Sequence, residues 1–276
     1  MASDPLRVLA VTAGLHLRLL LRQSGARLGD ILMPSAVALA PILLGRVVGG
    51  TEAGAAFAGQ VGSPDFAGFL LIGGGAFFLV TRSLWGLGSW LRDEAGRGTL
   101  ESLYLTPAAK SAVLAGVALA FSGYSALMFV LAVALGNLLF QATLGGGNLL
   151  LALAFLLVGL PPLYGLSLLY GALVLRLKEA DAFLQLAQWI ATLLMGVYFP
   201  VSLLPAFLRL LAWLFPPAWL TQGVRGALLG LPFLSGAWPA DLAVLAGYCL
   251  LAPLLGYLVF ARAERSLRAG AGIGGV

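Results

Sequence analysis

Side chains capable of acid–base, metal or nucleotide chemistry are few in this sequence and lie far apart. The single histidine, His16, and the single cysteine, Cys249, are separated by most of the chain, whereas a zinc or haem site needs several ligands at a recognisable spacing. Lys110-Ser111 is the nearest approach to a nucleotide-binding loop, but Pro107 and two alanines precede it where such a loop requires glycines. The residues therefore indicate neither a catalytic site nor a metal or other cofactor bound by this chain.

An ion-coupled carrier would need a carboxylate near the centre of a membrane span. All eleven acidic residues fall outside the apolar stretches or at their ends, which counts against a secondary transporter. Arg82 differs, because it lies well inside an apolar stretch, about 24 Å along a helix counted from Phe66. It is a candidate gate residue that could pair with Asp181 or contact a substrate. The alternative is that its side chain simply snorkels toward the inner headgroups.

These few polar groups belong to a chain that must lie in lipid. Hydrophobic residues make up 61% of the 276 residues and charged residues 10%, where a soluble domain carries about 25% charged residues. The basic residues behind the net charge of +5 lie between apolar stretches and do not cluster with aromatic residues, so no nucleic-acid partner is indicated. The composition predicts an all-α polytopic membrane protein in contact with membrane lipids.

The apolar stretches predict six transmembrane helices, since about 20 apolar residues make one span. An N-terminal helix over residues 5–24 is expected to be amphipathic and interfacial, because Arg7, Arg18 and Arg22 fall within about 60° of its circumference. An ordinary first helix packed on the bundle is the alternative. In the second span, Gly73-Gly74-Gly75 would allow close helix approach. The spans are expected over residues 28–48, 66–90, 111–140, 149–175, 182–200 and 242–261.

Residues 203–235, before the last span, are apolar but broken by prolines, and a proline ends or kinks a helix. A re-entrant helical hairpin is therefore expected there, with a complete additional hairpin as the alternative. With the N-terminus in the cytosol, only Arg46, Arg209 and Arg225 lie outside and Arg82 lies in a span, so the other twelve of the sixteen basic residues mark the inner side. Both termini are thus expected to be cytoplasmic, in a multi-pass protein of the plasma (inner) membrane.

The most informative inner segment covers residues 94–106. Thr99 follows a glycine and is a fair helix N-cap. Leu100, Leu103 and Tyr104 would then form one apolar-aromatic face of a short helix between two spans. A partner protein could grip such a helix, or the helix could fold back onto the membrane, and the residues alone leave these two alternatives even.

This segment resembles the ABC-2 type transporter permeases, in which an acid precedes Gly-Thr-Leu-Glu, a leucine pair and Thr-Pro. A second region resembles the family's Phe-Pro, Leu-Pro, aromatic- or Asn-Pro and Arg-rich closing pattern, and both occupy the topological places that the family requires. Phe215 stands where many members have Asn, and this departure from the family's pattern concerns the local structure of the outer helix at that point. The matching residues are Glu94, Gly98-Thr99-Leu100-Glu101, Leu103, Leu105, Thr106-Pro107, Gly196-Val197-Tyr198-Phe199-Pro200, Leu204-Pro205, Phe215-Pro216 and Arg225 through Gly230.

The resemblance implies the membrane subunit of an ATP-binding cassette exporter. Its partners would be a second copy or a paralogous permease and a cytosolic ABC ATP-binding subunit, which holds the ATP and Mg. Residues 5–24 would be the family's connecting helix, and residues 94–106 the coupling helix that fits a cleft of the ATPase. The implied coupling residues are Glu94, Gly98, Thr99, Leu100, Glu101, Leu103, Tyr104, Thr106 and Pro107.

A substrate cavity would lie between the two copies, lined by the first, second and fifth spans. Polar groups in a span are expected to face such an interior, although hydrogen bonding between helices would explain them equally well. The scarcity of charge favours a hydrophobic or amphiphilic cargo such as a drug, an antibiotic or a lipid. The alternatives are an ABC-2 permease for polysaccharide or ions, and a secondary transporter or channel that works without an ATPase. The candidate cavity residues are Gln185, Gln188, Trp189, Thr192, Tyr198 and Phe199.

Overall fold

The computed structural model describes residues 4–22, 24–61, 65–99, 106, 110–140, 147–174 and 180–270. Across these ranges the chain forms nine α-helices and one turn of 3-10 helix, and no strand. The helices are α1 (Pro5–Arg22), α2 (Ser24–Val61), α3 (Phe66–Gly96), α4 (Lys110–Phe140), α5 (Leu149–Val174), α6 (Ala180–Leu194), α7 (Ala206–Trp213), α8 (Pro216–Leu229) and α9 (Trp238–Gly270), with the 3-10 turn at Val201–Leu203.

Four of these helices, α3, α4, α5 and α9, are long and apolar enough to cross a membrane, and α2 contains a shorter apolar stretch, Leu28–Leu44. The predicted fold class, an all-α polytopic membrane protein, is therefore confirmed. Some boundaries differ from the predicted ones. α2 continues as one helix through Pro34 and Pro41 and beyond residue 48, and α9 continues beyond residue 261. α6 ends at Leu194, before the predicted end at residue 200.

α3 is the central helix of the bundle. It packs against α2, α4, α5 and α8, and of the four long apolar helices it is the most buried and α9 is the least. The main core beside it contains Leu79 of α3, Phe155 of α5, Met195 after α6 and Leu245 of α9, which are all buried. It also contacts α6 lightly, so α3 touches five of the other described helices and can connect events at its two ends.

Small residues hold α9 against α5. A Cβ on Gly165 would collide with the backbone of Ala252, and a Cβ on Gly256 would collide with the backbone of Gly165. The thiol of Cys249 also donates to the carbonyl of Val158, with Sγ and O 2.9 Å apart. Close approach through small residues is a main source of helix association in lipid, so α9 is fixed to the bundle although much of its surface is exposed.

α1 packs along α4. A Cβ on Gly116 of α4 would lie 2.8 Å from Cβ of Thr12 in α1. On the same side of α1, the His16 ring meets Trp90 of α3 edge-on, with ring centroids 5.9 Å apart. The three arginines of the predicted basic stripe are exposed on the opposite side. α1 is therefore held on the bundle with its basic stripe outward, and its place at the membrane interface stays a prediction.

Two short helices, α7 and α8, lie between α6 and α9, as the prolines predicted. Pro205 is the N-cap of α7, and Pro216 is the first residue of α8, where the missing N–H leaves no hydrogen bond unmade. Gly230 ends α8 with a φ of 67°, the left-handed conformation that glycine adopts at helix ends. α8 is buried from Pro216 to Leu228, so it is a core helix of the bundle.

Candidate functional site

Four of the candidate cavity residues share one side of α6. Gln185, Gln188, Trp189 and Thr192 are three or four residues apart, which places them within about 100° of the helix circumference. Gln185 is exposed, and Trp189 is 70% exposed. α6 packs lightly against α3, α5 and α7. The structure therefore brings these four residues together, with an amide and an indole on the surface.

The other two members of this group lie at the packed edge of α6. Thr192 is buried, and its hydroxyl donates to the carbonyl of Gln188 at 2.8 Å, a bond within the helix. The Nε2 amide nitrogen of Gln188 is buried and has no hydrogen-bond partner among the described residues. An unpaired buried donor costs about 1–3 kcal/mol, so a molecule that accepts from Gln188 would recover this free energy.

Tyr198 and Phe199, the remaining candidate cavity residues, lie beyond the end of α6. Gly196 has a φ of 63°, a left-handed conformation that ends helices. The amide of Val197 then donates back to the carbonyl of Thr192 at 3.2 Å. Tyr198 is 40% exposed and Phe199 is partly buried. These two aromatic residues therefore belong to the turn that follows α6 and not to its polar side.

A fully buried arginine holds this turn in place. The guanidinium of Arg225, in α8, donates to the carbonyl of Gly196 at 2.7 Å and to that of Val197 at 2.8 Å. It also donates to the carbonyl of Phe69, in α3, at 3.0 Å from Nη2 and 3.3 Å from Nε. These contacts, which we call the Arg225 clamp, join α8 to the N-terminal end of α3, which is the predicted outer end, and to the end of α6. Every acceptor in the clamp is a backbone carbonyl.

The glycine run of α3 permits three close approaches, as predicted for close helix packing. Gly73 leaves room for the Arg225 clamp, because a Cβ there would collide with Nη2 of Arg225 and the carbonyl of Val197. The next two glycines each meet a different helix. A Cβ on Gly74 would lie 2.9 Å from the carbonyl oxygen of Pro34 in α2, and a Cβ on Gly75 would lie 2.8 Å from the ring of Phe129 in α4.

Further along α3, the candidate gate residue Arg82 forms an ion pair with Asp30 of α2. The other carboxylate oxygen of Asp30 accepts a hydrogen bond from the hydroxyl of Tyr124, in α4, at 2.7 Å. The side chain of Asp30 is 8% exposed and that of Arg82 is 43% exposed. These three residues, which we call the Asp30 triad, join α2, α3 and α4, and they give Arg82 a buried acidic partner.

Two of the cavities within the described part of the bundle have linings that bear on function. One, of about 540 Å³, is bounded by Phe69, by Gln222 of α8, by Arg209 and Trp213 of α7, and by residues 231–234. Arg209 is the one charged residue among the described residues that line it. The other cavity, of about 460 Å³, lies between α4, α5 and α8 and is lined by apolar side chains and Asn137.

The structure describes only part of the predicted coupling helix. Gly98 has a φ of 69°, and α3 ends just before it. The hydroxyl of Thr99 donates to the backbone carbonyl of Glu94 at 3.2 Å and to its carboxylate at 2.5 Å, so the start of the segment is tied to the end of α3. Thr106 is exposed. The coupling residues outside the described ranges are Leu100, Glu101, Leu103, Tyr104 and Pro107.

Sequence reasoning missed two roles that the structure assigns. Arg209 was expected only as a marker of the outer side, and Arg225 as such a marker and as part of the family's closing pattern. The structure shows that Arg225 is a buried tie between three segments and that Arg209 lines a cavity. The signal for Arg225 was an arginine within an apolar stretch that contains no acid. The partner of Arg82 was also missed, since Asp30 lies 52 positions away.

Long apolar helices joined by buried polar contacts define a polytopic helical membrane protein. A polar side on an otherwise apolar helix, as on α6, is typical of membrane proteins that transport a substrate. Across the described ranges, no three potential metal ligands lie together. The ABC-2 type transporter family matches residues 17–229, and the chain belongs to this family. It is the permease component of an ABC-2 transporter, a transport component that is not itself catalytic. A comparison with curated proteins found no match.

Proposed function

We propose that this permease is the membrane subunit of an exporter that moves a hydrophobic or amphiphilic substrate out of the cytosol, driven by a separate ATP-binding subunit. It would work beside a second permease, either a copy of itself or a paralogue. It would lie in the plasma (inner) membrane with both termini in the cytosol. The observation that carries this proposal is the exposed polar side of α6 in a chain of the ABC-2 family.

The surroundings of Gln185 support a substrate path along α6. The large apolar residues Phe183, Leu186 and Ile190 of the same helix are also exposed, as expected for a helix surrounded by lipid or by another membrane chain. An amide that faces acyl chains loses its hydrogen bonds with water at a cost of about 1–3 kcal/mol or more. The polar side of α6 is therefore better placed against a second permease or a hydrated path, and Trp189 beside it suits an amphiphilic molecule.

α3 offers a mechanical route from the ATPase to this path. It is one helix of 31 residues, about 46 Å long, and the predicted coupling segment follows its inner end directly. Its outer end is fastened through Phe69 to the Arg225 clamp, which also holds the turn after α6. A displacement of the coupling segment would thus move α6. For transport, ATP must favour one of the two arrangements over the other, and supplying that difference is the role of the ATPase.

Co-purification and reconstitution test this proposal. The permease is expressed with candidate ABC ATP-binding subunits, sought first among the neighbouring reading frames, and its partner is expected to purify with it. In proteoliposomes, ATP is expected to drive net movement of an amphiphilic probe, such as an NBD-labelled phospholipid or a lipophilic cationic dye. A hydrolysis-deficient ATPase serves as the control and is expected to abolish the movement. Transport that proceeds equally well without the ATPase would instead identify a secondary transporter or channel.

Variants of the coupling segment test the docking site itself. Glu101→Arg and Leu103→Asp are expected to lower ATPase stimulation and transport at least about tenfold while the permease still folds, because each places a charge where a complementary surface is required. Arg262→Glu, at an exposed position near the end of α9, is the matched charge reversal and is expected to leave both activities intact. If the two coupling variants behave like this control, the coupling-helix assignment is wrong.

A further inference from the structure

The short helix α7 has three different sides. Leu208 and Ala212 pack against the protein. Arg209 and Trp213, four residues apart, line the cavity of about 540 Å³. The remaining side is apolar and exposed, with Phe207, Leu210, Leu211 and Leu214 on the surface. A helix with one apolar outer side and a cavity-facing arginine and tryptophan is placed where lipid meets water, so the cavity adjoins the membrane interface.

The cavity offers an unpaired cation to a ligand. Arg209 is exposed, and no described residue forms an ion pair or a hydrogen bond with its side chain. The polar groups beside it are Ser202, which is exposed, and Gln222, whose Nε2 donates to the carbonyl of Met195 at 3.2 Å. An arginine with five free donors is suited to a carboxylate or phosphate group.

Buried charges near the cavity add to this preference. Behind Phe69, which lines the cavity, lies the guanidinium of Arg225, 3.6 Å from the centre of the ring. The nearest acid to the lining residues 231–234 along the chain, Asp241, is fully buried. Its carboxylate already accepts from the amides of Leu234 and Ser235 at 2.7 and 2.8 Å. Asp65, one helical turn before Phe69, is also bonded within the protein, since its carboxylate accepts from the amide of Gly68 at 2.7 Å. Because Arg209 is the one charged residue among the described residues that line the cavity, the cavity surface is positive and attracts anions.

We propose that this cavity binds a single-chain anionic amphiphile, with its head on Arg209 and the start of its chain against Phe69, Trp213 and Phe233. About 540 Å³ corresponds to about 18 groups of the size of a water molecule, which is enough for a head and part of one chain. The role of this cavity as an outer release site for an exported substrate rests on the proposed function. The binding of the amphiphile does not depend on that function.

A binding experiment on the permease alone tests this proposal. The full chain is placed in nanodiscs of phosphatidylcholine without the ATPase, and the probe is lysophosphatidic acid with a brominated stearoyl chain, which quenches tryptophan fluorescence on contact. The uncharged monoacylglycerol with the same chain is the matched ligand. Probe dissolved in the bilayer also quenches exposed tryptophans such as Trp189, so the saturable part of the quenching is the measured quantity. This saturable part is expected with lysophosphatidic acid and should be largely lost in Trp213→Phe, because Trp213 lines the cavity.

Substitutions of Arg209 give the decisive comparison. Arg209→Gln is expected to raise the half-saturating concentration of lysophosphatidic acid about tenfold, as the loss of a charge-assisted hydrogen bond requires, and Arg209→Lys to restore most of the binding. Arg262→Gln, an exposed arginine outside the cavity, is expected to bind as the unsubstituted protein does. Binding of the monoacylglycerol is expected to be weaker and insensitive to Arg209→Gln.

Three results would overturn the proposal: equal binding by Arg209→Gln and the unsubstituted protein, saturable quenching that is unchanged in Trp213→Phe, or equally tight binding of the monoacylglycerol. Displacement of the probe in nanodiscs enriched in phosphatidylglycerol would also overturn it, because the occupant would then be a two-chain membrane lipid. Since no ATPase is present, a failure of ATP-driven transport would leave these binding results unchanged, and the two proposals fail separately.

Discussion

The guanidinium carbon of Arg225 lies 3.6 Å from the centre of the Phe69 ring, and the same guanidinium donates to the Phe69 carbonyl at 3.0 Å. Arg225 thus meets one residue of α3 through both its ring and its backbone. The ring and the carbonyls of Phe69, Gly196 and Val197 replace water around the charge. A buried cation of this kind fixes position well, because any displacement would leave it and its acceptors unpaired.

The first prediction concerns the loss of this cation. Arg225→Met keeps much of the volume but removes the side-chain donor of the Gly196 and Val197 carbonyls, and each buried acceptor that loses its donor costs about 1–3 kcal/mol. We expect destabilisation of about 3 kcal/mol or more, seen as a lower midpoint of thermal unfolding in detergent. Arg225→Lys should recover only part of this, because a single ammonium lacks the planar fork that reaches both sides of the clamp. An unchanged midpoint for Arg225→Met would contradict the clamp.

The second prediction uses two glycines that differ only in their surroundings. Gly73→Ala introduces a Cβ that meets Nη2 of Arg225 and the carbonyl of Val197, whereas a Cβ on Gly247 of α9 meets nothing within 4 Å. Overpacking costs about 1–3 kcal/mol, so Gly73→Ala should lower the unfolding midpoint. Gly247→Ala should leave it unchanged or raise it slightly, since alanine is the better helix former. Equal midpoints for the two variants would show that the segments can move apart freely.

The helices of this protein could be predicted because lipid imposes long apolar runs, and prolines divide the rest. Two of the prolines that break residues 203–235, Pro205 and Pro216, lie at the starts of α7 and α8. The end of α6 could not be predicted as well, because it depends on the sign of φ at Gly196. Glycine adopts either sign with similar ease, so its presence in a sequence does not locate a helix end.

The contacts between the helices were harder to predict than the helices themselves. The acceptors of Arg225 are backbone carbonyls, which every residue possesses, so no pattern of side chains marks them. The pairing of Asp30 with Arg82 depends on how two helices are rotated about their axes when they pack. By contrast, the shared side of Gln185, Gln188, Trp189 and Thr192 follows from helical spacing alone, and the structure reproduces it.

The third prediction concerns the Asp30 triad. Arg82→Ala leaves the buried carboxylate of Asp30 with only the Tyr124 hydroxyl, and breaking a buried pair in this way is costly. Because Arg82 is itself 43% exposed, we expect a loss of about 1–3 kcal/mol. Adding Asp30→Asn to Arg82→Ala should restore part of the lost stability, since no unpaired charge then remains. A double-mutant cycle of unfolding midpoints measures this coupling.

The triad predictions have a clear contrary result. If the effects of Asp30→Asn and Arg82→Ala simply add, the two side chains are not coupled, and Arg82 acts alone at the headgroups. Tyr124→Phe is the matched control within the triad, because it removes one hydrogen bond of 2.7 Å and no charge. It should therefore cost about 0.5–1.5 kcal/mol, less than Arg82→Ala.

The last prediction places the polar side of α6 in a hydrated path. Cys249→Ser removes the single cysteine and so provides a cysteine-free background. The substitution should be tolerated, because a serine hydroxyl can also donate to the carbonyl of Val158. In this background Gln185→Cys and Trp189→Cys should react with a membrane-impermeant thiosulfonate, since only a hydrated thiol forms the reactive thiolate. Leu251→Cys, at a similarly exposed apolar position on α9, should stay unlabelled in lipid. The label on position 185 should also reduce ATP-driven transport. Equal labelling at all three positions would contradict the prediction, because exposure of the side chain would then explain the reaction without a hydrated path along α6.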